Sequence, residues 1–267
     1  MHAALDMRTL VGSHDIVLLS LDTLRFDAAE REWNAGRLSV LQSVLPASGF
    51  ERCHAPASFT YAAHHAFFAG FLPTPARPGP HARLFALAFE GSTSTTADTF
   101  VFAEGANIVE GLAALGYHTL CIGGVGFFNL RNPLGRVLPG MFAEAHWQPR
   151  FGVTAIDSTE AQVALACERL QAIRQRLFLF LNISALHQPN CHYLPGATVD
   201  NFESHCAALR YVDGALAPLF RALRARGPSV LIVLSDHGTA YGEDGWHGHR
   251  HPHPVVMDVP YAHTVLA

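Results

Sequence analysis

The chain contains no lysine: all 18 of its basic residues are arginine. That absence excludes the lysine of P-loop and kinase sites, Schiff-base catalysis and a pyridoxal phosphate anchor. Charge is scarce at 15%, and the formal net charge is −4 with no basic run. No nucleic-acid partner is expected on that footing. No run of about 18 apolar residues occurs, so no membrane insertion is expected. Cysteine is limited to five residues, at 53, 121, 167, 191 and 206. The odd count and the lack of a C-x-x-C spacing argue against a disulfide framework and an all-cysteine zinc site. The opening MHAALDMRTLVGSHD lacks the charged-then-apolar order of a secretory leader. A reduced, cytoplasmic protein is the expectation from these two features.

What is present is 49% hydrophobic residue over 267 positions, enough for one large domain, read here as 1–267. Histidine is abundant, with 17 residues, many in the C-terminal third, where they invite a metal reading. Short apolar runs alternate with helical patterns. DIVLLSL (15–21), TLCIGG (119–124), LFLFLNIS (177–184) and VLIVLS (230–235) read as buried strands. Residues 60–70, 104–116, 158–176 and 201–226 read as helices, with Gly70, Gly116 and Gly227 as stops and Ser158 as an N-cap. The proline-rich stretch 71–81 reads as a loop, and the Phe-rich segments 67–71 and 85–102 read as core. This alternation predicts an α/β fold with a mostly parallel central sheet flanked by helices.

Ligands of such sheets bind at the carboxyl ends of the strands. The first run ends in Asp22, the third leads to His187, and the fourth ends in Asp236 and His237. Two carboxylates and an imidazole suit Zn2+ or Mn2+. Thr60 opens a helix, where its hydroxyl meets free backbone N–H groups and the positive end of the dipole. Taken alone it reads as a helix cap; beside a metal it reads as a nucleophile with a lowered pKa. His64 lies one helical turn on, on the same face, whereas His65 points elsewhere and reads as packing. Arg25 and Asp27 follow the first strand and read as loop-orienting residues or anion contacts.

These segments resemble the alkaline phosphatase superfamily, on its sulfatase-like and phosphoglycerol-transferase-like side. DIVLLSLDTLRFD resembles the family's first strand with its metal-binding Asp. TYAAHHAFFAG resembles the nucleophile helix, T-x-x-S-H-A-S-L-x-T-G, which selects Thr60, ten residues ahead of Gly70. LFLFLNISALHQPN resembles the strand leading to a substrate-binding His, here His187, and VLIVLSDHG the S/T-D-H-G metal segment. GEDGWHGH and DVPYAHTVL resemble the distal loop and the strand after it.

The resemblance implies a metal-dependent hydrolase of phosphate mono- or diesters that forms a covalent intermediate on Thr60. One divalent cation, Zn2+ or Mn2+, is implied at Asp22, Thr60, Asp236 and His237. His64 and His187 are implied at the non-bridging oxygens of a small anionic ester, with His247 and Arg25 as further substrate contacts. His249 or His247 is implied as acid or base. Departures from the family narrow this. Thr60 cannot become formylglycine, so sulfate esters are disfavoured. The lysine of the family's G-K dipeptide is Gly124 here, and its distal lysine is His249. Ile183 stands where a second-metal carboxylate would be, so a second cation is not expected. A large C-terminal subdomain is not expected either. Transfer to an acceptor, and non-catalytic metal or anion binding, stay open beside hydrolysis.

Overall fold

The computed structural model describes residues 5–70, 85–86, 100–101 and 106–267. Seven strands form the central sheet: β1 (Asp15–Leu21), β2 (Glu51–His54), β3 (His118–Ile122), β4 (Glu144–His146), β5 (Leu177–Ile183), β6 (Ser229–Leu234) and β7 (Asp258–Leu266). Their order is β2-β7-β6-β1-β5-β3-β4. The run from β6 to β4 is parallel, and β7 joins antiparallel to both β6 and β2. The expected mostly parallel α/β sheet is present. All four apolar runs read from the sequence are strands within a residue or two of their expected bounds.

Parallel strands covered on both faces read as unbroken apolar runs, because no side is left for solvent. β5 is buried at every position. Its alternate residues point to opposite faces. Leu179 and Leu181 join Val17, Leu19 and the packed helices on one side. Phe178 and Phe180 join Phe68, Phe128 and Phe142 on the other. The aromatic face therefore lies under the helix Thr60–Ala69.

Helix ends depart from expectation for local reasons. Gly70 adopts φ 71° and stops its helix as expected. The helix after 157 runs Ser158–Ala172 with Asp157 as N-cap and no side-chain cap. The segment 201–226 is two helices, Phe202–Ala215 and Ala217–Arg226. Pro218 sits in the first turn of the second one, where its missing N–H and ring break continuity with the preceding turn. The helix expected over 104–116 is described as Ile108–Ala114. The loop at 71–81 lies outside the described residues, as do Phe71 and the side chains of 85–102.

The loop that leaves β1 is anchored by a buried glutamate. Glu32, on the helix Phe26–Asn34, is fully buried. It accepts from Arg37 at 2.6 and 2.8 Å and from Arg210 at 2.9 Å, which ties this helix to Phe202–Ala215. Burial opposes its charge, but Arg37 and Arg210 outweigh it and hold the carboxyl at about 2, against an ordinary 4.5. The folded value lies below the unfolded one. The stabilisation is therefore complete above about pH 5 and is lost as the pH falls toward 2. Glu32→Gln is expected to lower stability at pH 7 by about 1–3 kcal/mol. Denaturant unfolding from pH 7 to pH 3 checks this: the gap between wild type and variant should narrow with acid, and a constant gap would contradict it.

Candidate active site

The carboxyl ends of β1 and β6 lie side by side because the strands pair in parallel, Ser20 opposite Leu234. Asp22 follows β1 directly, and Asp236 and His237 follow β6. All three are fully buried. One ligand atom from each lies within 4.8 Å of the others, and no other such group of His, Cys, Asp and Glu occurs among the described residues. Thr60 enters from above at the start of its helix. Phe59, not Thr60, is the N-cap, and no side chain caps this end. The capping reading of Thr60 is thereby corrected: its Oγ1 lies 3.2 Å from His237 Nε2 instead.

Hydrogen bonds set the chemistry of each group. The His237 Nδ1–H donates to the Gly238 carbonyl at 2.8 Å, which leaves the Nε2 lone pair facing Thr60 and Asp236 Oδ2, 3.4 Å away. Burial holds His237 neutral, pushing its pKa down to about 3. Asp22 Oδ2 accepts from Asn182 Nδ2 at 3.1 Å, and Asp236 Oδ1 accepts from the Thr23 N–H at 3.1 Å. The remaining oxygens, Asp22 Oδ1 and Asp236 Oδ2, are buried without a donor. Burial, then the neighbouring Asp236, drive the Asp22 carboxyl well above its usual range. Two unpartnered buried carboxylate oxygens are costly unless a cation compensates them. The donor set of oxygens and one imidazole nitrogen fits Zn2+ or Mn2+.

Asn182 is the residue the sequence reading missed. Its amide nitrogen donates to Asp22, and its Oδ1 accepts from the N–H groups of Gly124 and Val125 at 3.2 and 3.0 Å. It thereby joins the carboxyl ends of β1, β5 and β3. The available signal was one polar residue near the end of a wholly apolar strand. Gly124 is packed so closely that a Cβ there would lie 2.4 Å from the Asn182 carbonyl oxygen.

The histidines divide into two groups. His64 is fully buried, with Phe67, Phe68, Phe128 and Phe180 around its ring. Its Nδ1–H donates to the Thr60 carbonyl at 2.8 Å, and the Ser20 hydroxyl donates to its Nε2 at 3.3 Å. Both nitrogens thus face protein groups, and Asp236 Oδ2 lies 3.8 Å from Nδ1. The structure places His64 beneath the first turn of the Thr60 helix, with its ring fully buried. His65 packs on Tyr61, as expected. His187 and His249 instead line up with His237, the ring centroids 5.7 and 4.6 Å apart. Burial, then the neighbouring His237 and His187, hold His249 neutral, down to about 3. His247 is exposed on the two-residue strand His247–Gly248 and makes no ring contact with that group among the described residues.

Arg25 is not open to an anionic ester. Its guanidinium is buried and bonds Asp27 at 2.9 and 2.6 Å, the Thr239 carbonyl and Glu243, with Phe202 against its face. It ties the exit of β1 to the loop that carries His247 and His249.

No protein-family model and no curated sequence matches the chain. Solved structures do match its fold. The C-terminal periplasmic domain of phosphoethanolamine transferase EptC from Campylobacter jejuni is 16% identical, with a TM-score of 0.63 over 94% of this chain and 78% of that one. The C-terminal periplasmic domain of EcEptC from Escherichia coli, in complex with Zn, is 12% identical, with a TM-score of 0.65 over 95% and 73%. An alkaline phosphatase superfamily protein from Vibrio parahaemolyticus is 16% identical, with a TM-score of 0.57 over 96% and 61%. The fold is that of the alkaline phosphatase superfamily. The expectation of a cytoplasmic protein is overturned, because the EptC and EcEptC neighbours are periplasmic domains. Free thiols were a poor guide: Cys121 and Cys206 are buried in the core, where packing rather than compartment keeps a thiol unpaired.

Asn182→Ala keeps every candidate ligand but frees the Asp22 carboxylate. Loss of such a supporting hydrogen bond is expected to weaken divalent-metal affinity about 10–100-fold. Titration of metal-free protein with Zn2+ or Mn2+ measures this. An unchanged affinity would mean that Asp22 needs no orientation or does not bind the metal.

Proposed function

We propose that the chain is a metal-dependent phosphoester enzyme that takes a phosphoryl-linked group onto Thr60 and passes it to an acceptor hydroxyl or to water. The observation that carries this reading is the Thr60 hydroxyl, 3.2 Å from His237 Nε2, beside two buried carboxylates with unpartnered oxygens. A purely anion-binding protein has no need of a hydroxyl at that point. The neighbours include one named a phosphoethanolamine transferase, which favours transfer over simple hydrolysis. Their periplasmic setting supports an extracytoplasmic site of action. Residues 1–267 are read as one catalytic domain.

A divalent cation held by Asp22, Thr60, Asp236 and His237 would supply charge compensation and a lowered hydroxyl pKa. The chain's own groups do the rest. The Thr60 Oγ1–P bond forms as the P–O bond to the leaving alcohol breaks, and the hydroxyl proton ends on that alcohol. His64 fixes the first turn of the helix through the Thr60 carbonyl, so Oγ1 keeps its direction. The His187 Nδ1–H donates to the Gln188 carbonyl at 2.7 Å, which leaves Nε2 to face the incoming group. His249, its ring 4.6 Å from that of His237, is the group proposed to take the acceptor's proton in the second half-reaction. Among the described residues His187 and His249 belong to no second group of three ligands, and one cation is the proposal.

Thr60→Ala is expected to keep the fold, since Thr60 caps nothing, and to remove turnover of aryl phosphate mono- and diesters. Retention of more than a few per cent of the wild-type rate would require another nucleophile. Product analysis with an added acceptor alcohol separates the two outcomes: a phosphorylated alcohol marks a transferase, and free phosphate alone marks a hydrolase.

A further inference from the structure

The loop from Gly242 to His253 turns repeatedly through the left-handed region. Gly242, Gly245 and Gly248 take φ 125°, 81° and 73° there, as glycine does without cost. Asp244 and Arg250 also lie there, at φ 51° and 80°. A residue with a Cβ pays roughly 1 kcal/mol or more for that conformation, in a loop that meets the same demand with glycine at three nearby positions. The backbone is held in place: the Arg250 N–H donates to the Ser58 carbonyl at 2.9 Å, two residues before Thr60. Arg250 is exposed, and among the described residues its guanidinium has no hydrogen-bond or ion-pair partner. This contrasts with Arg25, whose guanidinium is fully engaged. The Arg250 charge is also close enough to His237 and His249 to disfavour a second positive charge on either ring.

We infer that Arg250 anchors the substrate anion, its guanidinium binding the non-bridging oxygens of a phosphate ester held over Thr60. The inference rests on the phosphoester reading above. Its physical grounds are a permanent cation with free donors, a backbone pinned to the nucleophile's entry segment, and strain kept where glycine would relieve it. The planar guanidinium can engage two phosphate oxygens at once, and a lysine ammonium cannot reproduce that fork.

Arg250→Gly is the informative variant, because glycine suits φ 80° and leaves the loop unstrained. Its melting temperature should equal or exceed that of wild type, and its metal content should be unchanged. KM for bis(4-nitrophenyl) phosphate should rise roughly tenfold or more, and exceed any fall in kcat, with a matching loss of affinity for inorganic phosphate by calorimetry. Arg250→Lys should recover only part of either. Unchanged KM and phosphate affinity in Arg250→Gly would overturn the inference, as would a loss accompanied by lower melting temperature or metal content, which would mark a structural role. If wild type turns over no phosphoester, the functional reading fails, while the phosphate-binding difference still decides Arg250. If Thr60→Ala is inert but Arg250→Gly binds normally, only this inference fails.

Discussion

The burial of two carboxylates side by side constrains everything around them. Asp22 and Asp236 are both fully buried, and such a pair is tolerated only where donors or a cation answer each oxygen. The chain answers two of the four oxygens itself, through Asn182 and the Thr23 N–H. The remaining two are left for the site. Thr23 takes φ 62° to present its N–H, so even the backbone after β1 is shaped by this demand. The parallel pairing of β1 with β5 and β6 puts the three strand ends together, and Asn182 spans them.

A second tier of interactions holds the surrounding loops to that centre. Arg25 is buried between Asp27 and Glu243, and it links the exit of β1 with the histidine-bearing loop. The close approach of Gly238 to Val255, where a Cβ would lie 2.0 Å from the carbonyl oxygen, clamps the other side. Through the Ser58 carbonyl the same loop is fastened to the approach to Thr60. Thr60, His249 and the two carboxylates, from four separate stretches of sequence, are thereby tied to one another. Preorganisation of that kind is what electrostatic catalysis requires.

Much of this was legible from residues alone. The apolar runs announced the strands, because a doubly covered strand cannot be polar on either face. The strand-end Asp22 and the Asp236-His237 pair were legible because parallel sheets gather ligands there. Thr60 was legible only through a spacing to Gly70 that matches a known pattern. Less visible were roles that depend on what a side chain meets. Arg25 and His64 have the right chemistry for an anion, yet Asp27, Glu243, the Thr60 carbonyl and Ser20 take up their polar atoms. Asn182 hid inside LFLFLNI because its value lies in three partners distant in sequence. The break at Leu216 was missed because Pro218 was read as part of a single periodic helix.

The absence of lysine connects these levels. The pattern that the sequence resembles has a lysine at the position of Gly124, and here the backbone leaves no room for one. Any Cβ at Gly124 would press on the Asn182 carbonyl oxygen at 2.4 Å, so a long basic side chain could enter only by displacing the residue that orients Asp22. The chain keeps the Asn182 bridge and leaves no cation at that corner. The second lysine position is His249, which burial and the neighbouring His237 and His187 keep neutral. A phosphate ester carries a negative charge that neutral imidazoles match poorly, since they offer hydrogen bonds but no net charge. Beyond the divalent cation proposed for the site, a permanent positive charge would have to come from outside both lysine positions, and arginine remains charged at any relevant pH. On the proposal advanced for Arg250, that charge lies on the next residue along, an exposed position whose backbone is held by the Ser58 carbonyl. A solvent-facing guanidinium is also not buried against the neutral histidines, so it does not add to the desolvation cost already imposed by the two carboxylates.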